Sequence, residues 1–595
     1  MNDPHSTTWE TWLQKWFIPL LIPAILVNAG GLLITILEPD GALYATIAKT
    51  IATTGDFVNL RVEGHDWLDK PHFPFWMAAL SFRLFGLNGF AYKFPALLFW
   101  GAGAWYTYRL ALSIYGRPVA QLATLIYVSA AHLVISNNDV RAEPYLTGLV
   151  IGAVFHFYKA SRATLSGKWS SGNAAVFREL GVHLVAGSFL AACAVMTKGP
   201  FVLITISAGL VLDWILGKNW AQFRNLRWWI ALLLIALFIT PELYCLYIQF
   251  DLHPEKLVFG HTGVSGIRFF FWDSQFGRFF NTGPIKGSGD PFFYFHTLLW
   301  AFLPWSLLLY AAIVQKCRKN NSGVLRGDAI CLGSAAVSFI VFSLSRFQLP
   351  HYLNILFPFF SILTAGYLYQ LRRRKTQRIV ALIQQVIAIL LPLLLIFLCW
   401  LFHFSSWIII AAGIGGLSIL SFRVYRGKDL PMVTARSFWA ALLAFAFVNF
   451  CLYPAILRYQ AGTEAGDYLG GKSLSPAEAA AGSTAPVGSG QGSRAPAALR
   501  TVYMLQEAPA NYSFEFYSPL SVQRVPIDSL PRRGMDLLVF LPSAFIDSLT
   551  QKGYRVEIVH SFPNFHISQL TGEFLHYKTR AATLEEYSLV VVTGK

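Results

Sequence analysis

The chain has 595 residues, of which 55% are hydrophobic and only 13% charged, and its formal net charge is +16. Soluble domains carry roughly 25% charged residues, so a 66.4 kDa chain with a mean hydropathy of +0.48 lacks the charge to coat a water-exposed surface. This composition excludes an ordinary cytosolic enzyme, a disordered chain and a secreted disulfide scaffold, and it indicates an integral membrane protein.

The excess of 47 Lys+Arg over 31 Asp+Glu then reads as charge in cytoplasmic loops rather than as a nucleic-acid surface. Six cysteines (Cys193, Cys245, Cys317, Cys331, Cys399 and Cys451) form no CxxC pair and lie mostly in or beside apolar runs. They read as small buried hydrophobes, not as a disulfide framework or metal site.

The polar start MNDPHSTTWETWLQKW gives way to an apolar run from Phe17 to Leu37. That is about the ~20 residues a spanning helix needs. No small-x-small cleavage signature follows, so the run is expected to be a retained first span. Apolar runs of this kind predict about thirteen spanning helices. They centre near residues 27, 98, 127, 151, 188, 208, 237, 302, 336, 361, 390, 412 and 446. The stretch from Phe73 to Gly86 is apolar but short, and reads as an interfacial helix or part of a span.

Charge predicts the orientation. One set of loops holds Arg109 and Arg117, Lys159 to Arg178, Lys218 to Arg227, Lys316 to Arg326, Arg372 to Arg378 and Arg423 to Arg436. The alternate short loops carry almost no Lys or Arg. The positive-inside rule places the basic set, and the N-terminus, in the cytoplasm; thirteen spans then put the C-terminus outside. The opposite face collects a first loop (38–72), Asp139 to Glu143, Lys198, a long loop (248–290) and Arg346 to His351. Ionisable residues at span ends are costly and usually functional. Acids and bases drawn from five distant loops to one face predict an active site. A transporter would instead place polar groups mid-span within inverted repeats, and a non-catalytic scaffold has no need of such a set.

Beyond the spans the composition shifts. The chain is expected to divide into a transmembrane domain (1–460), a flexible Gly/Ser/Ala/Pro-rich linker (461–500) and a small α/β domain (501–595). In the last, TVYML, MDLLVFLP, YRVEIVHSF and SLVVVTGK read as short buried strands, and SAFIDSLTQKG as a helix closed by Gly553. It contains no nucleotide-binding glycine motif.

The first loop carries the most chemistry. Glu38 and Asp40 stand where the first span leaves the bilayer, and Ala42 to Thr53 has helical spacing. An acid held there can take a proton from an acceptor hydroxyl, and a nearby lysine, Lys70, can bind a phosphate. In isolation a helix cap and a snorkelling lysine would explain both.

The segment EPDGALYATIAKTIATTGDFV…EGHDWLDKPHFPFW resembles the first outer loop of the aminoarabinose lipid A transferases, relatives of the protein O-mannosyltransferases. The correspondence runs through Asp40 with Tyr44, Gly55-Asp56 and Asp69-Lys70-Pro71. It departs at Gly41, where the family has a second acid, and at His72, where it has a second proline. Glu38 is the candidate to supply the missing charge. Further similarities follow in order: NDVRAEP with Asp139 and Glu143, MTKGP with Lys198, FFFWDSQFGRFFN with Arg278, and FSLSRFQLPHYLNILFP with Arg346 and Tyr352.

The resemblance implies an all-α polytopic membrane protein of the class C glycosyltransferase fold with an added outer domain. It implies a polyprenyl-phosphate-linked sugar as donor and inversion at the anomeric carbon. Asp40 would be the general base and Glu143 would orient the acceptor or share the proton work. Lys70, Lys198, Arg278 and Arg346 would hold the phosphate, with Glu38, Tyr44, Asp69, Asp139 and Tyr352 as further site candidates. The implied acceptor is lipid A or another envelope glycolipid in the bacterial inner membrane; transfer to protein is the alternative. No cofactor is required, because the lipid phosphate already activates the sugar. A divalent metal is left open by Asp69, Asp139, Glu143, His65, His261 and His351, although no metal-binding spacing is present.

Overall fold

The computed structural model describes residues 4–165, 174–318, 322–471, 501–530 and 536–594. It is a helical membrane protein with a small sheet at its C-terminal end. Among the described residues, seven helices are long and apolar enough to cross a membrane, and a pair bent by 50°, Arg117–Val128 with Ala131–Asn138, makes an eighth candidate. Several expected spans form shorter apolar helices, such as Val202–Leu216. The long helices Gly89–Tyr115 and Glu143–Leu165 carry more polar groups among their apolar residues. Buried in Gly89–Tyr115, Lys93 donates to the carbonyls of Gly31 at 3.1 Å and Ile34 at 2.8 Å, where the first helix ends.

Close helix packing depends on small residues. Gly209 on Val202–Leu216 lies so near the Ser322–Leu344 helix that an added Cβ would stand 2.2 Å from the Ile330 carbonyl oxygen. Nearby, the Ser338 hydroxyl donates to Thr205 Oγ1 at 2.8 Å. In hydrocarbon such a pair satisfies both hydroxyls.

The first loop opens into a helix, Asp40–Thr54, then a short hairpin, β1 (Arg61–Val62) and β2 (His65–Asp66), and then the helix Phe73–Phe85. At the other end of the chain, β3 (Thr501–Leu505), β4 (Ser521–Val525), β5 (Asp536–Pro542), β6 (Arg555–Asn564) and β7 (Glu585–Thr593) form one sheet in the order β4-β3-β5-β7-β6. β3 is parallel to β4 and β5; β7 is antiparallel to β5 and β6. Central β5 is buried on both faces along most of its length, which explains its unbroken apolar run. Edge strand β4 (SVQRV) is more exposed and mixed in pattern, so periodicity did not reveal it.

The start of the expected linker is ordered. Residues 461–469 form the helix Ala461–Leu469, with Ala461 and Ala465 fully buried. Small residues read as linker composition allow close packing here: a Cβ on Gly466 would stand 2.7 Å from Tyr517 Cβ. The rest of the expected linker, 472–500, lies outside the described residues.

Tyr512–Tyr517, packed on the Ala461–Leu469 helix, docks onto the first loop. Lys49 Nζ donates to the carbonyls of Glu515 at 2.8 Å and Phe516 at 2.9 Å, capping the C-terminal end of the short helix. Gln460 Nε2 donates to the Ile36 carbonyl at 2.9 Å, and Ser513 N–H donates to Glu38 Oε1 at 2.7 Å. A second anchor lies at Phe402, where Arg580 Cζ stands 3.7 Å above the ring and Nη2 donates to the carbonyl at 2.8 Å.

Burial, then the neighbouring Glu63, push Glu515 up to about 7, against the lowering effect of Lys49 and Arg524. A carboxyl whose folded pKa exceeds its unfolded value binds its proton more tightly in the fold. Its contribution is therefore fully present below the unfolded pKa of about 4.5 and is lost as pH rises through about 7. The chain should unfold at a lower temperature at pH ~7.5 than at pH ~5.5. Glu515→Gln should shrink that difference in thermal unfolding of the purified protein; an unchanged difference would show that other groups set it.

Candidate active site

Five distant segments meet at one end of the helical layer. Asp40 begins its helix, Asp69 and Lys70 lie in the loop before Phe73–Phe85, and Asp139 and Arg141 join the bent pair to the next helix. Glu143 is the first residue of Glu143–Leu165, and Lys198 is the last of Ala174–Lys198. Arg278 follows a π-helical stretch, Phe269–Gly277, and Tyr352 lies in the 3₁₀ segment Pro350–Leu356.

Their side chains pair. Lys198 Nζ bonds Glu143 Oε1 and stands 3.6 Å above the Tyr352 ring. Asp69 accepts from Lys70 Nζ at 2.5 Å and from Arg278. Arg141 donates from Nη1 to Asp40 Oδ2 at 2.6 Å and from Nη2 to Asp139 Oδ2 at 2.7 Å. His351 Nε2 is 3.8 Å from Glu143 Oε1. The Glu143 side chain is only 3% exposed, whereas that of Asp40 is 42% exposed.

Burial pushes the Asp69 carboxyl up, but Lys70 and Arg278 together outweigh it and hold Asp69 below the usual carboxylate range. Burial likewise pulls Lys70 down, although Asp69 opposes it. Asp139 is raised by burial against the opposing pull of Arg141.

Two cavities share these groups. An apolar cleft of ≈ 850 Å³ of empty space is lined by Phe201, Val202, Val341, Phe342 and Ile355. A charged pocket contains Asp40, Tyr44, Arg141, Glu143 and His351. Asp69, Lys70, Lys198, Arg278, Phe347 and Tyr352 line both. The fold therefore sets cations where an apolar groove meets a polar chamber.

Most of the residues singled out from the sequence come together here, and two do not. Arg346 is exposed and lines neither cavity; its backbone N–H donates to the Phe279 carbonyl at 3.1 Å. Glu38 is held by Ser513, and burial raises its pKa. It does not line the charged pocket. Asp139 lies nearest Gly41: a Cβ on Gly41 would stand 3.1 Å from Asp139 Oδ1. The glycine makes room for this neighbouring acid, which Arg141 ties to Asp40.

His72 also gains a role. Its N–H donates to Glu242 Oε2 at 3.0 Å, and Nδ1 lies 3.0 Å from Glu242 Oε1. This buried pair fixes the loop behind Lys70. Arg141 and Phe347 were missed from the sequence. Arg141 had a readable signal, as an arginine on the face that the positive-inside rule leaves poor in basic residues.

Among the described residues no group of three His, Cys, Asp or Glu side chains is placed to hold a metal ion. His65 and His261 are exposed and away from the pockets.

No protein-family model matches the sequence. The chain is 28% identical over 350 residues to an undecaprenyl phosphate-alpha-4-amino-4-deoxy-L-arabinose arabinosyl transferase of Edwardsiella ictaluri, covering 58% of each chain. It is 26% identical over 357 residues to a Pseudomonas fluorescens transferase of the same description, covering 58% of this chain and 56% of that one. It thus spans little more than half the length of these curated relatives. Its fold matches the crystal structure of ArnT from Cupriavidus metallidurans bound to undecaprenyl phosphate with a TM-score of 0.68 and 18% identity. That match covers 97% of this chain and 98% of the other.

Gly199 gives the site a direct structural test. Its φ is +94°, and an added Cβ would lie 2.1 Å from Gln275 Nε2, which donates to the Lys198 carbonyl at 3.3 Å. Gly199→Ala should destabilise the chain by about 1–3 kcal/mol, read as a lower unfolding temperature, while Ala208→Gly on a neighbouring helix should cost about 1 kcal/mol or less. Equal stability of Gly199→Ala and the native chain would contradict this placement of Lys198.

By sequence likeness to these transferases, and by a shared architecture over nearly its full length, the chain is a multi-pass membrane protein with the class C glycosyltransferase fold.

Proposed function

We propose that the protein transfers a sugar from a polyprenyl-phosphate donor to an acceptor at the outer face of the bacterial inner membrane. The observation that carries this reading is the shared wall: Lys70, Lys198 and Arg278 line both an apolar cleft and a charged pocket. An isoprenoid tail fits the apolar side and a phosphate the cations. The likeness to arabinosyl transferases named for undecaprenyl phosphate favours the same donor chemistry, with lipid A or another envelope glycolipid as acceptor. In this orientation the N-terminus is cytoplasmic and the C-terminal sheet periplasmic.

The chemistry follows from position. Asp40, the more exposed carboxylate, takes the proton of the acceptor hydroxyl, whose oxygen forms a bond to the anomeric carbon as the carbon–oxygen bond to phosphate breaks. The lipid phosphate leaves with the electron pair of that bond. Lys70, Lys198 and Arg278 offset the charge that develops on it. Arg141 aims Asp40, and Glu143 holds Lys198 over Tyr352. Asp69 occupies Lys70 and Arg278 until a phosphate competes for them. In this reading no cofactor is required, because the lipid phosphate already activates the sugar.

Asp40→Asn should lower transfer from a purified polyprenyl-phosphate sugar by about 10²–10⁴ in rate, with folding retained. Glu38→Gln should be mild, because Glu38 faces Ser513; the reverse ranking would reassign the base. Lys198→Ala should weaken donor binding and turnover by about 1.5–3 kcal/mol, and Lys198→Arg should restore only part. Unchanged donor affinity and turnover in Lys198→Ala would leave this lysine a membrane anchor for its helix.

A further inference from the structure

A second built cavity lies at the opposite end of the helical layer. The helix Arg374–Phe402 runs from Arg374 to Phe402, where Arg580 of the C-terminal sheet region docks. Its Arg374 end is therefore the far face from the candidate site. There, Arg374, Arg378, Lys428 and Arg436 line an opening of ≈ 1430 Å³ of empty space, and Asp429 is its one acid.

Arg436 is the unusual member. It is 8% exposed, and every hydrogen-bond acceptor it has is a neutral oxygen. Nε and Nη2 donate to the Tyr425 carbonyl at 2.9 and 2.6 Å, and Nη1 donates to Gln385 Oε1 at 2.7 Å. Among the described residues, none of these four cations forms an ion pair with a carboxylate. Burying a charge is costly unless an opposite charge accompanies it.

A third cavity links this opening to an apolar groove, sharing Thr8, Asp429 and Pro431 with the opening and Trp16 with the groove. Tyr425, whose carbonyl holds Arg436, also lines the groove, which has ≈ 1020 Å³ of empty space, with Trp16, Pro392, Leu417 and Trp439. Phe422 lines the opening, with Arg436 Cζ 5.1 Å from its ring. A cationic mouth above a membrane-depth apolar groove is complementary to one class of molecule, an anionic phospholipid. Its phosphodiester would meet Arg378, Lys428 and the exposed edge of Arg436, and an acyl chain would lie along Leu417 and Trp439. A free anion would use the mouth and leave the groove unused. A zwitterionic lipid would use the groove and gain less from the cations.

We propose that this cavity is a binding site for an anionic phospholipid of the leaflet opposite the candidate active site. The test is native mass spectrometry of the full chain in detergent with dioleoyl phosphatidylglycerol or dioleoyl phosphatidylcholine. Phosphatidylglycerol should be retained at a concentration on the order of tenfold lower. The double variant Arg378→Ala/Lys428→Ala changes two exposed residues, and in it the preference should fall to about twofold or less. Leu417→Trp should weaken retention of both lipids by filling the groove. Equal retention of the two lipids by the native chain, or a preference untouched in the double variant, would overturn the proposal. So would inorganic phosphate raising the unfolding temperature as much as phosphatidylglycerol does, since the site would then bind a free anion.

Discussion

Glu143 is a carboxylate at the mouth of an apolar helix, almost wholly removed from solvent, and it cannot stay charged there alone. Lys198, at the end of a second helix, supplies the opposing charge. Removing either partner would leave a buried charge uncompensated, which typically costs about 3–5 kcal/mol. The pair therefore fixes two helix ends against each other. The 3₁₀ segment carrying His351 and Tyr352 closes over them, with the Tyr352 ring under the ammonium group.

The same logic extends outward. Lys70, Arg141, Lys198 and Arg278 are matched by Asp40, Asp69, Asp139 and Glu143 through direct contacts. A site balanced in this way is stable when empty, yet it holds its cations ready for a ligand that offers a stronger acceptor. A phosphate that displaced Asp69 from Lys70 and Arg278 would keep the local charge from rising. The C-terminal sheet contributes from behind. Through Lys49, Glu38 and Gln460 it grips the segment that carries Asp40, so the C-terminal region helps to place Asp40.

Much of this was legible in the sequence because charge in an apolar chain is conspicuous. Asp40, Lys70, Glu143, Lys198 and Arg278 could be picked out as ionisable groups at span ends, and they share one cavity system. Arg346 looked equivalent by the same criterion, but side-chain direction is set by the turn after Leu344, which periodicity does not report. Glu38 and Asp40 are two residues apart, and local sequence could not tell which faces the pocket. The answer comes from Ser513, 475 positions away. Short helices such as Val202–Leu216 have the same apolar composition as long spans, so composition alone does not report their length. The helix Ala461–Leu469 was read as linker because Ala and Gly signal flexibility in composition but close packing in context.

The account rests on one claim, that a lipid-linked phosphate sits where the apolar cleft meets Lys70, Lys198 and Arg278. Direct binding of undecaprenyl phosphate to the purified chain tests it, measured for the native protein and for Lys70→Ala/Arg278→Ala. The account predicts saturable one-to-one binding by the native chain that the double variant loses while remaining folded. Equal affinity in both would place the phosphate elsewhere and contradict the account.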